Sequence, residues 1–305
     1  MIKKYTNQNL TWVDVENPTK EEVSSLMSEF NLDPENAQEM AMPTYKPKVM
    51  SYSNYIYLIL HFPAFKHSHN EEHKHEIDFV IGKNFLITTR YTSIDQMDKI
   101  SKIFEVNTML EKTSFAGASG VGLFYFVLKE LFKSLEDEID FIGDSLKNIE
   151  RKVFSGQEKH MVMALSKVSR NLLDFKSTVN SQSDTMADLE KIGIGIFGKE
   201  IHYYLSDLTS EHYKIGQMLE KDINLLQELR ETNNSLLSTK QSEIMKTLTI
   251  ITFIVMPFTI INSFFQIYAE NTPILGMEYD WYIIVLSELV VVFITFFYAR
   301  HRKWF

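Results

Sequence analysis

The side chains best suited to chemistry in this chain form a stripe at the end of a long uncharged segment. Stepping back from Glu270 by alternating four and three residues meets only small, hydroxylated, amide-bearing or Met side chains. The positions of this polar stripe are Gln266, Ser263, Thr259, Met256, Thr252, Thr249, Met245 and Ser242. A repeat of about 3.5 residues stays on one face of a supercoiled helix. Rings of hydroxyl and amide groups could touch a hydrated ion, and rings of Met could form a narrow apolar constriction.

A contact face between two helices, made of small residues, is the other interpretation of the polar stripe. Met side chains and the two terminal residues, Gln266 and Glu270, fit such a face poorly. The pattern therefore favours a stripe that lines a pore in a ring of identical helices. At the outer mouth Gln266 and Glu270 would meet the ion, and copies of Glu270 would raise the local cation concentration.

The polar stripe lies on the first of two apolar segments that are long enough to cross a membrane. Residues 247–268 carry no charge over 22 residues, and residues 281–299 carry only Glu288. The hydrocarbon core of a bilayer is about 30 Å thick and needs about 20 apolar residues in a helix. We therefore expect two transmembrane helices, with core helices of a soluble protein as the alternative.

The basic residues near these segments predict their orientation. The second segment runs into a basic tail at 300–305, whereas the connection at 269–280 contains no Lys or Arg. The positive-inside rule places the tail in the cytoplasm and the connection outside. Because two spans return the chain to the side from which it came, residues 1–246 are also expected in the cytoplasm. The predicted location is the cytoplasmic (inner) membrane, with both termini inside.

An acid inside the second span needs a polar partner. Glu288 lies seven residues beyond Trp281, and Asn262 lies at a similar depth in the first span. A charged side chain within a bilayer is costly unless it is paired. We therefore expect a contact between Asn262 and Glu288 that is structural more than ion-contacting.

The part of the chain before the membrane segments changes character near the small residues at 116–120. Alternating apolar residues predict a strand at 10–15, and stretches rich in β-forming residues predict strands at 55–62 and 76–91, the last broken by a turn at Gly82-Lys83-Asn84. Helices are predicted at 19–30, 93–104, from about 120 onward, at 158–191, and from near Lys199 to about Tyr268. The long helix after residue 120 carries a coiled-coil-like seam of Val121, Phe124, Leu128, Leu131, Leu135, Ile142, Leu146, Ile149 and Val153.

The expected fold is an α+β cytoplasmic domain followed by a long α-helical stalk and a two-helix transmembrane hairpin. Its parts are an α/β domain at 1–115, a helical bundle and stalk at 116–246, a pore-lining transmembrane helix at 247–268, an extracytoplasmic loop at 269–280, a second transmembrane helix at 281–299 and a basic tail at 300–305. A helix as long as the last stalk segment needs lateral partners, so we also expect an oligomer.

Three other motifs have more than one interpretation. GIGIFG at 193–198 matches a dinucleotide-binding pattern, but a helical pattern precedes it, so glycines that break one helix before the next are favoured. The His-rich tract from His61 to His75 could bind a transition metal, although a solvated hairpin tip is favoured. The acids of the long helix form a solvated face or a cation-accumulating surface; they are Glu136, Asp137, Glu138, Asp140 and Asp144.

Composition excludes several classes of protein. The chain has no Cys and a net charge of −9, which excludes disulfides and thiolate zinc sites and argues against nucleic acid as a partner. We find no nucleophile–base pairing, no phosphate-binding loop and no HExxH motif. We therefore expect neither an enzyme nor a cofactor.

Several stretches resemble the CorA/ZntB family of two-span divalent-cation transporters over nearly the whole chain. They are TWVDVENPTKEE, LDPENAQEM, YKPKV, IDFVIGKNFLITTRY, EIMKTLTIITFIVMPFTII with its Met256-Pro257 pair, and the tail ARHRKWF. Their order and spacing together are specific. The resemblance implies a homopentameric funnel in the lipid bilayer, with the first span lining the pore.

The chain departs from the family at its signature. Members end the pore helix with Tyr-Gly-Met-Asn, or with Gly-Ile-Asn in the zinc-type branch. Alignment from Met256-Pro257 places Phe265-Gln266-Ile267-Tyr268 there, and three extra residues would place Tyr268-Ala269-Glu270-Asn271 there. Neither stretch contains the glycine, so the asparagine ring is absent, displaced to Asn271 or replaced by Gln266. The resemblance also places Asp207 where the family has an acid that binds regulatory Mg²⁺ between subunits, with a solvated stalk acid as the alternative.

The resemblance implies a channel or transporter for hydrated divalent cations, either Mg²⁺ or a transition metal such as Co²⁺, Ni²⁺ or Zn²⁺. These ions would be the substrate and a possible regulatory ligand. A membrane sensor or scaffold with weak or no Mg²⁺ transport is one alternative, and a zinc transporter of the ZntB type is another.

Overall fold

The computed structural model describes residues 1–7, 9–63, 75–109, 119–266 and 274–302. The chain forms two compact units, Met1–Arg230 and Glu231–Phe305.

A mixed sheet of six strands forms the centre of the first unit. The strands are β1 (Ile2–Asn7), β2 (Leu10–Glu16), β3 (Lys48–Ser51), β4 (Tyr55–Phe62), β5 (His75–Gly82) and β6 (Phe85–Arg90). Their order is β1-β2-β6-β5-β4-β3, and β2 runs parallel to β6 while the other pairs are antiparallel. Every residue of β4 and β5 is buried, so both faces of the sheet centre are covered. This burial explains why β4 reads as a nearly continuous apolar run.

Three short helices belong to this α/β region: α1 (Lys20–Phe30), α2 (Pro34–Glu39) and α3 (Asp95–Met109). Helix α1 begins where the sequence predicts, because Thr19 and Glu22 form a reciprocal capping box. The sequence analysis did not predict β1, β3 or α2. The predicted strands and the turn after Gly82 are confirmed.

Helix α4 (Gly120–Phe154) confirms the predicted seam. All nine seam residues are buried along it. At its first turns α4 covers the sheet, where the Phe124 ring meets the Phe79 ring edge-on at 5.3 Å between centroids. The apolar periodicity of this helix is therefore set by burial along its whole length.

The prediction of one helix over 158–191 is wrong. Helix α5 (Glu158–Ser181) ends and α6 (Ser183–Phe197) begins around Gln182. The buried amide of Gln182 donates to the carbonyl oxygen of His61 in β4, and to the carbonyl of Thr178. A tertiary contact with the sheet thus accompanies the helix break.

Of the three glycines at 193–198, only the last one ends a helix. Gly198 has φ 92° and ends α6, whereas Gly193 and Gly195 lie inside that helix. The break before the next helix is confirmed, and the dinucleotide-loop interpretation is wrong because the motif lies in a helix rather than between a strand and a helix.

After a 3₁₀ turn at Lys199–Ile201, α7 (His202–Gln266) is continuous over 65 residues and contains Pro257. Helix α8 (Asp280–His301) follows with 22 residues. Both are long and apolar enough to cross a membrane, as the sequence predicts.

Candidate functional site

The polar stripe on α7 is exposed at every described position. Its residues are Ser242, Met245, Thr249, Thr252, Met256, Thr259, Ser263 and Gln266. Gln266 is the last residue of α7, and the other predicted mouth residues, Glu270 and Asn271, lie outside the described residues. None of these stripe positions is therefore covered by α8 in a single chain.

Helix α8 covers a different side of α7. The Phe253 and Tyr298 rings lie 6.4 Å apart between centroids, which places α8 beside α7. The least exposed apolar residues in this part of α7 are Ile250, Ile254, Pro257, Ile261 and Phe265. At about 100° of rotation per residue, their mean direction lies roughly 180° from that of the polar stripe. The stripe thus occupies the side of α7 that faces away from α8.

Four of the five hydroxyl groups of the polar stripe donate to the backbone of their own helix. Thr249 Oγ1 donates to the Met245 carbonyl at 2.8 Å, and Thr252 Oγ1 to the Leu248 carbonyl at 2.9 Å. Thr259 and Ser263 make the same contact four residues back, at 3.2 and 2.9 Å. Because each proton is committed to a carbonyl, the oxygen lone pairs remain available to other donors. The exposed side therefore presents hydrogen-bond acceptors.

The predicted pair within the membrane segments is not hydrogen-bonded in the single chain. Asn262 Nδ2 donates to the Phe258 carbonyl at 3.3 Å, so its own helix satisfies the amide donor. Glu288 is buried, and its Oε1 has no hydrogen-bond partner among the described residues. The contact between Asn262 and Glu288 stays a prediction.

Asp207 is held by two side chains of α4. Its Oδ2 accepts from the Tyr125 hydroxyl at 2.7 Å and from Lys129 Nζ at 2.8 Å. The hydrogen bonds from Lys129 and then Tyr125 lower the pKa of Asp207, and the bond to Asp207 raises the pKa of Lys129. Both groups therefore stay charged at neutral pH and neutralise each other.

This geometry does not fit the regulatory metal that the family resemblance implies at Asp207. Because the Lys129 ammonium occupies Oδ2, a divalent cation would have to bind at Oδ1, next to that positive charge. Within the part of the chain that the structure describes, no three or more His, Asp or Glu side chains are arranged to hold a metal ion.

Two ends of the histidine tract are buried rather than solvated. His61 Nε2 lies 3.1 Å from Glu76 Oε2, and His75 Nδ1 lies 2.7 Å from Thr92 Oγ1. Both side chains belong to strands β4 and β5, where they are covered. The expectation of a solvated tip is wrong for these two residues, because strand pairing extends to Phe62 and His75. His67, His69 and His73 lie outside the described residues.

The acids of α4 form a largely exposed face. Asp137, Asp140 and Asp144 are exposed. Lys147 Nζ donates to Asp144 Oδ1 at 2.9 Å, and Lys214 Nζ donates to Glu136 Oε1 at 2.8 Å. This agrees with a solvated face that carries its own cationic partners.

Sequence reasoning missed the partners of Asp207. Tyr125 and Lys129 lie four positions apart on a helix, so the sequence indicates that they share one helix face. Their distance from Asp207 along the chain, 82 and 78 residues, hid the contact.

Comparison with known proteins identifies the family. The family model described as "CorA-like Mg2+ transporter protein" matches residues 7–301. The cobalt/magnesium transport protein CorA of Thermotoga maritima is 23% identical over 299 residues, covering 96% of this chain and 83% of the relative. The putative metal ion transporter YfjQ of Bacillus subtilis is 22% identical, with 96% and 89% covered.

A solved structure shows the same fold. The complete structure of the CorA magnesium transporter from Methanocaldococcus jannaschii has a TM-score of 0.83 and 19% identity, covering 99% of this chain and 93% of that one. The resemblance found from the sequence motifs is confirmed. Because the family model matches almost the whole chain, this protein belongs to the family of CorA-like Mg²⁺ transporter proteins.

Proposed function

We propose that this protein forms a homopentameric channel or transporter for hydrated divalent cations, with α7 lining the pore. The observation that carries the proposal is the polar stripe, which is exposed on the side of α7 opposite α8. The hydroxyl and amide groups of this exposed stripe are less favourable in lipid than in water. A ring of α7 helices with α8 outside would give every stripe an aqueous surface.

The chemistry of the stripe suits a cation that keeps its water. Mg²⁺ loses its hydration shell reluctantly, so a pore that conducts it must contact the bound waters. Those waters donate hydrogen bonds, and the Thr and Ser oxygens of the stripe are free to accept them. Met245 and Met256 would form apolar rings that gate the pore by excluding water.

The outer mouth would select for positive charge more strongly than for one particular cation. Gln266, Glu270 and Asn271 stand where the family signature is altered. Five copies of Glu270 would concentrate cations electrostatically without requiring their dehydration. Candidate cargoes are Mg²⁺ and Co²⁺, which the names of the relatives include, and the transition metals Ni²⁺ and Zn²⁺.

The proposed topology places both termini in the cytoplasm and the 269–280 connection outside. The basic residues in the last turn of α8 support this orientation through the positive-inside rule. Tyr279, Trp281 and Tyr282 are exposed at the start of α8, as expected of an aromatic belt at the outer interface. Glu288 would then need a partner within the assembled pore or a neighbouring copy.

A flux assay in proteoliposomes tests the mouth. We expect Glu270→Gln to reduce Mg²⁺ or Co²⁺ flux at low salt by about tenfold, because the ring loses its charge. Gln266→Ala should change the order of preference when Mg²⁺, Co²⁺, Ni²⁺ and Zn²⁺ compete. Glu278→Gln is the control, since it removes one acid from the same connection outside the stripe. Unchanged rate and preference in the first two variants would contradict the mouth assignment.

The altered signature also favours a second function, a membrane sensor or scaffold that transports Mg²⁺ weakly or not at all. The same assay separates the two. Native protein that binds divalent cations but conducts none would support the sensor, and uptake of Zn²⁺ in preference to the other ions would support a zinc transporter.

A further inference from the structure

The contact between α4 and α7 at Asp207 is built from two matched pairs of side chains. Tyr125 and Lys129 lie four residues apart on α4, and Tyr204 and Asp207 lie three apart on α7, so each pair shares a helix face. The Tyr125 and Tyr204 rings are 5.1 Å apart between centroids. Lys129 Nζ lies 5.0 Å from the centroid of the Tyr125 ring. We call these four residues the α4–α7 clamp.

Both donors of the clamp reach the same carboxylate oxygen. Tyr125 and Lys129 donate to Asp207 Oδ2 at 2.7 and 2.8 Å, and Lys129 Nζ also lies 2.6 Å from the Tyr125 hydroxyl oxygen. The ammonium is therefore fixed by two oxygen partners. Only Oδ1 of Asp207 has no hydrogen bond within the described part of the chain.

This arrangement is unfavourable for a dissolved divalent cation. Mg²⁺ requires an octahedral set of oxygen ligands and usually takes one or two carboxylates. A cation at Oδ1 would lie close to the ammonium of Lys129 and would be repelled by it. Displacing Lys129 would also remove the hydrogen bond that it donates to the Tyr125 hydroxyl.

We propose that Lys129 is a built-in counter-ion that takes the place of a regulatory divalent cation at Asp207 and keeps the α4–α7 clamp closed without dissolved metal. Because the ammonium is tethered, its local concentration at Asp207 does not depend on the cytoplasmic cation concentration. Any cation sensing by this protein then uses groups other than Asp207. The regulatory meaning rests on the proposed transport function, whereas the clamp itself does not.

The test uses the full-length protein in detergent and measures its apparent melting temperature against added MgCl₂ or CoCl₂. We expect Asp207→Asn to lower the melting temperature without added cation by about 2 °C, the effect of a partly exposed ion pair. The cation concentration that gives half of any Mg²⁺- or Co²⁺-dependent shift should stay within about twofold of the native value. A tenfold or larger change, or loss of the shift, would mean that Asp207 binds the metal and would overturn the proposal.

A charge exchange keeps the test decisive if Asp207→Asn folds poorly. Lys129→Asp and Asp207→Lys should each lower the melting temperature, and the double variant should regain most of the loss because the pair is re-formed. Asp144→Asn is the matched control, since it breaks an exposed pair with Lys147 within one helix and should have a smaller effect. A double variant no better than either single variant would refute the pairing. Melting measurements do not depend on flux, so a failure here is distinct from a failure of the transport assay.

Discussion

At the scale of single residues, the orientation of hydroxyl protons decides what the polar stripe offers to an ion. Threonine in a membrane helix is often explained by its bond to the preceding turn, which removes a donor from lipid. On α7 the same bond leaves an acceptor oxygen on the exposed side. An acceptor surface favours hydrated cations over anions, because water bound to a cation points its protons outward.

Thr252→Val removes this acceptor while keeping the shape of the side chain. If Thr252 lines the pore, we expect cation flux in proteoliposomes to fall by about fivefold, the effect of about one lost hydrogen bond in the rate-limiting step. Thr247→Val is the matched control, since Thr247 bonds to Glu243 at 2.9 Å in the same way and lies off the stripe. An equal loss of flux in both variants would show that the hydroxyl acts through helix structure rather than through the ion.

The residue scale also limits what a family resemblance transfers. The expectation that Asp207 binds a regulatory metal, with a solvated stalk acid as the alternative, depends on its aligned position alone. Its partners, Tyr125 and Lys129, make it one half of an ion pair in this chain. A carboxylate keeps its place in an alignment even when the groups facing it have changed.

At the scale of elements, α4 shows how reliable a long apolar period is. Its seam was predicted from spacing, and every member is buried. By contrast, the helix at 158–191 was predicted as one element because no residue in it breaks the helical pattern. The break at Gln182 accompanies a hydrogen bond to β4, which local propensity does not encode.

Leu146→Ala tests the energetic role of the seam. Leu146 is completely buried, so we expect the free energy of unfolding to fall by about 2–5 kcal/mol, the range for a large-to-small change in a core. Leu173→Ala on α5 is the control, because Leu173 is mostly exposed and should cost no more than about 0.5 kcal/mol. Urea denaturation of the full-length protein, followed by circular dichroism, measures both. A similar loss in the two variants would contradict the assigned burial.

At the scale of the whole molecule, the proposed pore requires copies of the chain. A single hairpin exposes the polar stripe on one side and apolar residues on its flanks, such as Ile251 and Phe264. The two surfaces suit different environments, since the polar stripe favours water and the apolar residues favour lipid or protein. Assembly around a central axis would satisfy both.

The absence of Cys from the chain permits a direct test of its topology. We expect a membrane-impermeant maleimide to label Glu278→Cys in intact cells, because the connection before α8 is proposed to lie outside. Lys159→Cys, also at an exposed position, should be labelled only after the cells are made permeable. Labelling in the opposite order would reverse the proposed orientation.

Much of the fold of this protein could be predicted from its sequence alone. The two membrane segments, the central strands, the seam of α4 and the family follow from apolar length, period and order of motifs. The apolar signals are local, since each depends on the spacing of neighbouring residues along one element, whereas the family follows from motifs spread over nearly the whole chain.

The tertiary structure alone decided three matters: that the polar stripe faces away from α8, that Gln182 contacts β4, and that Asp207 pairs with Lys129. The last two contacts join residues 121 and 78 positions apart. Periodicity reports which side of an element is apolar but not which element covers it. Which charged side chains form a pair depends on how the helices and strands pack, and this packing exists only in the folded chain.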